Sequence, residues 1–414
     1  MKNKPNLTLI ILFGLIIAVG WFSIFSTTYK PDHFTLESSY GMQLMWIASV
    51  ALTALFVFVI NRRFYYNFAA YFFILFNILI LLVFFVGVER SGAKSWLGIG
   101  GIGIQPAEFA KYATCLLLAK YVSLNSCDLT KWKSVLGAAT IIFIPVVLIL
   151  LQNDTGTAVP FLFLIFALFR EGLTPWILIA GFIMVVLFAL FIYVSPAFHW
   201  IIFTTLSIAF LIAVVYRLKK RQKFLQVIIF YVLAICYGLS VDAVYNNVLK
   251  DHQRKRIELL LGKINDPKGI GYNVNQAKIA IGSGGLWGKG FGEGTQTKLN
   301  FVPEQTTDFI FCTIGEEWGF IGTVSVILLY CIFLWQIIWL SEKSNDAFVR
   351  CYGYSIASIF FAHIAINIGM TIGLMPVIGI PLPFISYGGS SLMAFTVMLF
   401  TFINFKTRIR HDLR

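Results

Sequence analysis

Charged residues are scarce in this 414-residue chain. They make up 12% of the sequence, against roughly 25% in an average soluble domain. Only nineteen residues are acidic, and the net charge is +13. By contrast, 58% of the residues are apolar, 41 of them Phe. This composition argues against a soluble globular protein and indicates that lipid is the solvent for most of the chain.

Several common catalytic and metal-binding signatures are absent from the sequence. The six cysteines show no CxxC spacing, so neither a disulfide framework nor a zinc site is predicted. There is no HExxH or GxSxG motif. The five histidines are dispersed, and His363, inside an apolar run, is expected to pack through a hydrogen bond rather than to titrate.

Apolar runs of about 20 residues, long enough to cross a bilayer as helices, recur along the chain. They predict an all-α polytopic bundle within one membrane domain, residues 1–414. The first run is longer than a signal-peptide core and has no small-residue cleavage site, so it is expected to be retained. The twelve predicted spans are 7–27, 41–60, 67–88, 106–124, 134–151, 157–169, 175–194, 200–216, 224–246, 312–340, 350–373 and 390–405.

The basic residues are concentrated in short connectors on one side of these spans. The positive-inside rule makes this side cytoplasmic, with both termini on it. It also explains the positive net charge, so nucleic-acid binding is not needed to account for it. The opposite side receives residues 247–311, the one long connector. It includes a basic run, DHQRKR at 251–256, against the positive-inside trend. This run is either a solvated helix end or a patch for an anionic lipid headgroup.

Two polar clusters precede that connector, and polar groups at membrane depth are default functional candidates. In QPAEFAKY, residues 105–112, Glu108 and Lys111 share a helical face and can neutralise each other. A structural ion pair that helps to pack the bundle is at least as well supported there as a catalytic role. In QNDTGTA, residues 152–158, we expect Asp154 to cap the following helix rather than to perform chemistry.

A third cluster ends the long connector, where glycines crowd residues 282–294 and allow close backbone approach. Lys278 and Lys289 add positive charge beside them. Asp308 follows, where the connector meets the next apolar run. Partial desolvation at such a boundary is expected to raise the pKa of this carboxyl and make it a better base.

The fourth cluster is GLMPVIGIPLPFISYGGSS, residues 373–391. Its three prolines cannot continue a helix, and non-helical backbone at membrane depth is tolerated only against protein or a water-filled cavity. Ser386, Tyr387, Ser390 and Ser391 supply hydroxyl groups. The segment is therefore predicted to be a re-entrant cavity wall.

Together these clusters resemble the SEDS family of peptidoglycan polymerases, which includes RodA, FtsW and SpoVE. The blocks GAKSWLGIGGIGIQPAEFAK, QNDTGTA, NQAKIAIGSGGLWGKGF, GTQTKLNFVPEQTTDFIF, GEEWGFIG and GIPLPFISYGGSS each look like a family block, between residues 92 and 391. The sequence of the fourth block is more similar to RodA than to FtsW.

The resemblance implies a processive glycosyltransferase that joins lipid II units into glycan strands at the outer face of the bacterial cytoplasmic membrane and releases undecaprenyl pyrophosphate. It makes Asp308, the acid of the TDF block, the essential residue. It also implies a class B penicillin-binding protein as partner. No cofactor is certain, and a divalent cation, Mg²⁺ or Mn²⁺, stays open. The residues expected to bind substrate are Lys94, Trp96, Glu108, Lys111, Arg254, Arg256, Lys278, Lys289, Glu304, Thr307, Ser386, Tyr387 and Ser390.

The sequence departs from the family pattern in three places. Thr306 stands where members usually have a His, and Asn153 stands where they have a Pro. The family ordinarily has ten spans, so the surplus predicts an inserted transmembrane hairpin at about residues 175–223. Two other functions stay open: a transporter of lipid-linked precursors, against which the apolar midspan stretches argue, and a scaffold for wall-synthesis proteins.

Overall fold

The computed structural model describes residues 6–29, 37–90, 93–99, 102–194, 199–219, 225–243, 251–264 and 271–412, together with residues 245, 247 and 269. They form two compact units, Met1–Leu173 with Tyr272–Arg414, and Thr174–Gly271. The helices are α1 Leu7–Thr28, α2 Ser39–Val59, α3 Arg62–Val86, α4 Pro106–Val122, α5 Trp132–Leu151, α6 Thr155–Leu162, α7 Ile165–Arg170, α8 Pro175–Tyr193, α9 His199–Lys219, α10 Leu225–Ala243, α11 Asp251–Leu260, α12 Tyr272–Ser283, α13 Thr295–Lys298, α14 Ile310–Glu342, α15 Ala347–Thr371 and α16 Gly389–Asp412.

The prediction of a helical polytopic membrane protein is confirmed. Among the described residues, nine helices are long and apolar enough to cross a bilayer: α1, α2, α3, α5, α8, α9, α14, α15 and α16. The other three predicted spans are also helical but fall outside this group. The 106–124 span is the 17-residue α4, which carries charged side chains; the 157–169 span is broken into α6 and α7; and the 224–246 span is α10.

A small sheet between α3 and α4 was not predicted. Its strands are β1 Val88–Arg90, β2 Ala93–Ile99 and β3 Ile102–Ile104, paired antiparallel in the order β1-β2-β3. Lys94 and Trp96 lie on the central strand, opposite Glu89 and Val88. Strands β1 and β3 have only three residues each, too short for an alternating pattern to be detected in the sequence.

The core of the first unit lies around α4, α15 and α16, in which most residues are buried. In the apolar 18-residue stretches of the outer helices α2, α3 and α5 only 22%, 28% and 33% of the residues are buried, as expected for helices that face lipid. Polar residues in the three central helices are therefore enclosed by protein, and they must find hydrogen-bond partners there.

Helix α14 is 33 residues long, or about 50 Å, and so exceeds a hydrocarbon core of about 30 Å. It is interrupted at Gly319, whose φ is +63°. A Cβ there would lie 2.4 Å from the Gly288 amide nitrogen. Only glycine fits here, because the backbone is left-handed and lies very close to Gly288. This approach packs α14 against the glycine-rich part of the connector.

The second unit contains α8 to α11. Leu187, Phe191 and Ile192 of α8 pack with Val241 of α10 in its core. His199, at the start of α9, lies 2.8 Å from the Phe191 carbonyl oxygen, within hydrogen-bond distance. The predicted hairpin at 175–223 corresponds to α8 and α9, and its status as an insertion stays a prediction.

Candidate active site

Asp308 lies in a tight turn between α13 and α14. The Glu304 carbonyl oxygen accepts hydrogen bonds from the amides of Thr307 and Phe309, both at 3.1 Å, and this closes the turn. Glu304 has a φ of +56°, a left-handed conformation that costs a non-glycine residue free energy and is found where the surrounding structure enforces it. The Asp308 side chain is half-buried at the end of this turn.

The segment between α15 and α16, residues 372–388, is non-helical, as the prolines predicted. Ile380, Leu382, Phe384 and Ile385 are all nearly fully buried within it. The Tyr330 hydroxyl of α14 donates a hydrogen bond of 2.5 Å to the Pro383 carbonyl oxygen. This backbone is therefore held inside the protein, the environment in which irregular structure is tolerated at membrane depth. We call residues 372–388 the re-entrant loop.

Three consecutive carbonyl groups hold the Asp308 turn in place. The Thr306 oxygen accepts from the Tyr387 amide at 2.8 Å. The Thr307 oxygen accepts from the Ser386 hydroxyl at 2.5 Å, and that hydroxyl accepts in turn from the Leu382 amide. The Asp308 oxygen accepts from the Asn367 side-chain amide at 2.9 Å. The first two donors belong to the re-entrant loop and the third to α15.

The Asp308 carboxylate lies against the backbone of the re-entrant loop at Gly379. A Cβ added at Gly379 would be 3.3 Å from Asp308 Oδ2, and the φ of Gly379 is +71°. Gly379 is exposed, so the carboxylate borders open space as well as buried backbone. This combination lets a substrate approach a carboxylate whose position the protein fixes.

The predicted ion pair between Glu108 and Lys111 is confirmed and is completely buried. Lys111 Nζ donates to Glu108 Oε1 at 2.7 Å and lies 2.8 Å from His363 Nε2. His363 Nδ1 is 3.1 Å from the Pro381 carbonyl oxygen of the re-entrant loop, so this histidine does pack through hydrogen bonds, as predicted. The pair is therefore connected through His363 to the loop that holds Asp308.

The predicted cap at Asp154 is also confirmed. Asp154 Oδ1 accepts from the Thr157 amide at 3.1 Å, and Oδ2 accepts from the Gln105 side chain at 2.7 Å. A Cβ added at Gly156 would come within 2.2 Å of the Ile378 carbonyl oxygen, so the first turn of α6 packs directly on the re-entrant loop. The second sequence cluster thus supports the loop.

The remaining candidate cations occupy different environments. Lys278 is exposed, and its Nζ would lie 2.4 Å from a Cβ at Gly373, at the start of the re-entrant loop. Lys94 donates to the Phe84 carbonyl oxygen at 2.8 Å. Lys289 is paired with Glu316 at 2.7 Å, a contact that favours a structural role. Arg254, paired with Asp251, and Arg256 belong to the second unit, and their relation to Asp308 stays a prediction.

The candidate hydroxyl groups also separate by position. Thr307 Oγ1 donates to Glu304 Oε2 at 2.8 Å, so both side chains line the exposed side of the Asp308 turn. The Tyr387 hydroxyl donates to Met42 Sδ at 3.7 Å and so points away from the Asp308 turn, which Tyr387 contacts through its backbone amide. Ser386 and Ser390 are buried. The described residues contain no group of three or more His, Cys, Asp or Glu side chains placed to hold a metal ion.

The structure thus gathers Asp308, Glu304, Thr307, Ser386 and Tyr387 around one turn. Asn367, which donates to the Asp308 carbonyl oxygen, and Gly379, which lies beside the Asp308 carboxylate, were not predicted from the sequence. A signal for Asn367 was present, because this amide lies one helical turn after His363 in an apolar run, where an unpaired polar side chain would be costly. Gly379 could not be found in this way, since its role depends on a loop conformation.

Comparison with known proteins places this geometry in a family. The sequence model of the FtsW/RodA/SpoVE family, described as cell cycle proteins, matches residues 6–226 and 201–410. The chain is 32% identical to the peptidoglycan glycosyltransferase RodA of Treponema pallidum, covering 93% of each chain. It is 34% identical to the probable peptidoglycan glycosyltransferase FtsW of Thiomicrospira cyclica, covering 81% of this chain and 74% of that one.

The fold agrees with a solved structure as well. A chain from a peptidoglycan synthase complex, whose structure addresses the coordination of polymerization and crosslinking, superposes with a TM-score of 0.69 at 23% identity. The superposition covers 99% of this chain and 98% of that one. This chain is a multi-pass membrane protein and belongs to the FtsW/RodA/SpoVE family.

Proposed function

We propose that this chain, a peptidoglycan glycosyltransferase, polymerises lipid II into glycan strands and uses Asp308 as its general base. One observation carries the assignment. The turn that carries Asp308 is held in place by hydrogen bonds to its own three consecutive carbonyl oxygens, those of residues 306–308. The Asp308 carboxylate faces both fixed backbone and open space. A base must be held within hydrogen-bond reach of the proton that it removes, and this arrangement supplies that constraint.

The reaction proposed for this site is a direct displacement at the anomeric carbon of the lipid-linked strand. The hydroxyl oxygen of the acceptor sugar forms a bond to that carbon while the bond from the carbon to the pyrophosphate oxygen breaks. The hydroxyl proton passes to the Asp308 carboxylate and then to solvent. Undecaprenyl pyrophosphate leaves with the bonding electrons. The glycan strand lengthens by one disaccharide at each turnover.

The leaving pyrophosphate gains negative charge, so cations near the turn would stabilise the transition state. Lys278 is the candidate best supported, because its exposed side chain lies over the start of the re-entrant loop. Arg254, Arg256 and Lys94 are further candidates. Glu304, four residues before Asp308 in the same turn, is the carboxylate proposed to bind a divalent cation if one takes part.

The cellular role proposed is elongation and maintenance of cell shape, in the cytoplasmic membrane of a bacterium with both termini in the cytoplasm. The sequence segment GTQTKLNFVPE supports the elongation role. Overall identity does not separate the two roles, since it is 32% to the RodA relative and 34% to the FtsW relative. The proposed partner is a class B penicillin-binding protein, a transpeptidase that would cross-link the strands. The superposition with a chain from a synthase complex supports such an assembly.

The test is polymerisation of labelled lipid II by the purified chain with its transpeptidase partner, read as glycan strands on a gel. Asp308→Asn should lower the rate at least about 100-fold, since a general base contributes roughly 10²–10⁴-fold. Glu293→Gln, which removes an exposed carboxylate from the same connector, is the matched control and should retain the rate. Polymer formed by Asp308→Asn at the normal rate would overturn the assignment. Movement of lipid II across vesicles without polymer would favour the transporter.

A further inference from the structure

A single side-chain amide joins the Asp308 turn to the re-entrant loop. Asn367 of α15 is fully buried, and its Nδ2 donates to the Asp308 carbonyl oxygen at 2.9 Å and to the Ile380 carbonyl oxygen at 2.7 Å. An amide nitrogen has two hydrogens, so both are used. The Asn367 Oδ1 atom makes no hydrogen bond within the described part of the chain.

The two carbonyl groups bound by Asn367 belong to the two sides of one contact. The first belongs to Asp308, which carries the carboxylate. The second belongs to Ile380, next to Gly379, and Oδ2 of the carboxylate lies against the Gly379 backbone. Loss of the amide would release both sides together, so the distance between carboxylate and loop would no longer be fixed.

The helix that carries Asn367 is suited to serve as a rigid support. Most of α15 is buried, and one turn earlier His363 lies within hydrogen-bond distance of the Pro381 carbonyl oxygen. Residues 363 and 367 thus hold successive loop carbonyls, 381 and 380, from one face of the helix. Strain introduced at either position would be transmitted to the loop.

We propose that Asn367 is a positioning residue for the transferase reaction, and that it acts by fixing the Asp308 carboxylate against the re-entrant loop. This proposal rests on the role of Asp308 proposed above. Asn367 is fully buried, so it acts through Asp308 and not by touching substrate. It holds the base at the distance and angle at which the acceptor hydroxyl can transfer its proton, and a displacement of about 1 Å at such a site can cost about 100-fold in rate.

The chain contains a matched control for this side chain. Asn404 of α16 is also fully buried, and its Nδ2 also bridges two carbonyl oxygens, those of Val57 at 2.6 Å and Ile60 at 3.0 Å. Its Oδ1, like that of Asn367, makes no hydrogen bond within the described residues. Asn404 holds the end of α2 instead of the site. Truncation to Ala therefore removes an equivalent pair of hydrogen bonds at each position.

The experiment compares Asn367→Ala with Asn404→Ala in the lipid II polymerisation assay, with Tm measured for both. Both variants should lose Tm to a similar extent. Asn367→Ala should lower kcat at least about tenfold with KM changed less than about twofold, because the base is misplaced while the substrate contacts remain. Asn404→Ala should change kcat less than about twofold. If Asn367→Ala does not fold, Asn367→Ser against Asn404→Ser gives the same comparison, with one donor retained in each.

A normal kcat in Asn367→Ala, or equal losses of kcat in the two variants, would overturn the proposal. Asp308→Asn measured in the same assay separates this outcome from failure of the proposed base. If Asp308→Asn is inactive while Asn367→Ala is normal, only the positioning role is wrong. If Asp308→Asn polymerises normally, the assignment of the base is wrong as well.

Discussion

Glu316 Oε1 accepts a hydrogen bond from Lys289 Nζ at 2.7 Å, and this contact closes the glycine-rich connector against the first turns of α14. The same carboxylate, which is fully buried, also accepts from the amides of Gln296 and Thr297 and from the hydroxyls of Thr295 and Thr297. Five donors thus converge on one side chain, which accounts for this buried acidic residue near the start of α14.

The first prediction concerns the stability conferred by this carboxylate. Glu316→Ala would leave buried amide and hydroxyl donors without acceptors, at roughly 1–3 kcal/mol each, so we expect a loss of at least about 3 kcal/mol in the free energy of unfolding in detergent. Lys289→Met should cost less, because the amide and hydroxyl donors keep their acceptor. Equal stability of Glu316→Ala and the Glu293→Gln control would contradict the structural role of Glu316.

The second prediction concerns the buried pair of Glu108 and Lys111. Lys111→Met leaves the Glu108 carboxylate buried without its cation, and breaking a buried pair in this way typically costs about 3–5 kcal/mol. Removing both charges in Lys111→Met with Glu108→Gln should restore much of that stability. A double-mutant cycle in unfolding free energy measures the coupling, and additive losses would show that the two charges act independently.

Activity in the same variants separates the two roles that the sequence left open for this pair. If the pair is only structural, the double variant should recover polymerisation together with stability. If Lys111 or Glu108 binds substrate, stability should return without activity. The complete burial of both side chains and their link to Pro381 through His363 favour recovery of both.

The third prediction is the orientation of the chain. With both termini in the cytoplasm, a reporter fused after Glu293 should be outside and one fused at Gln222, which lies outside the described residues, should be inside. Lys and Arg in short connectors determine this arrangement. An external signal at Gln222 would mean that the segment 175–223 does not cross the membrane twice, as the predicted hairpin requires.

Much of the fold was predictable from sequence because membrane solvent imposes long apolar helices, and the predicted ranges of α1, α5, α8 and α14 lie within three residues of the observed ones. Local capping and pairing rules also predicted the Asp154 cap and the contact between Glu108 and Lys111. Long-range contacts were not predictable in this way. The link from Asn367 to Asp308 spans 59 residues, and the engagement of Lys289 by Glu316 spans 27.

The fourth prediction concerns Gly379, which backs the Asp308 carboxylate. Gly379→Ala places a Cβ 3.3 Å from Asp308 Oδ2 on backbone with a φ of +71°, so the carboxylate must shift by a few tenths of an ångström or the loop must move. We expect kcat for lipid II polymerisation to fall at least about tenfold, because proton transfer depends on that position.

Gly262→Ala is the control: its φ is +69°, so the backbone strain is comparable, and nothing lies within 4 Å of the added Cβ. The control should lose about 1 kcal/mol of stability or more from the left-handed conformation but retain kcat. Equal kcat in the two variants would show that the contact between Gly379 and Asp308 has no part in the reaction.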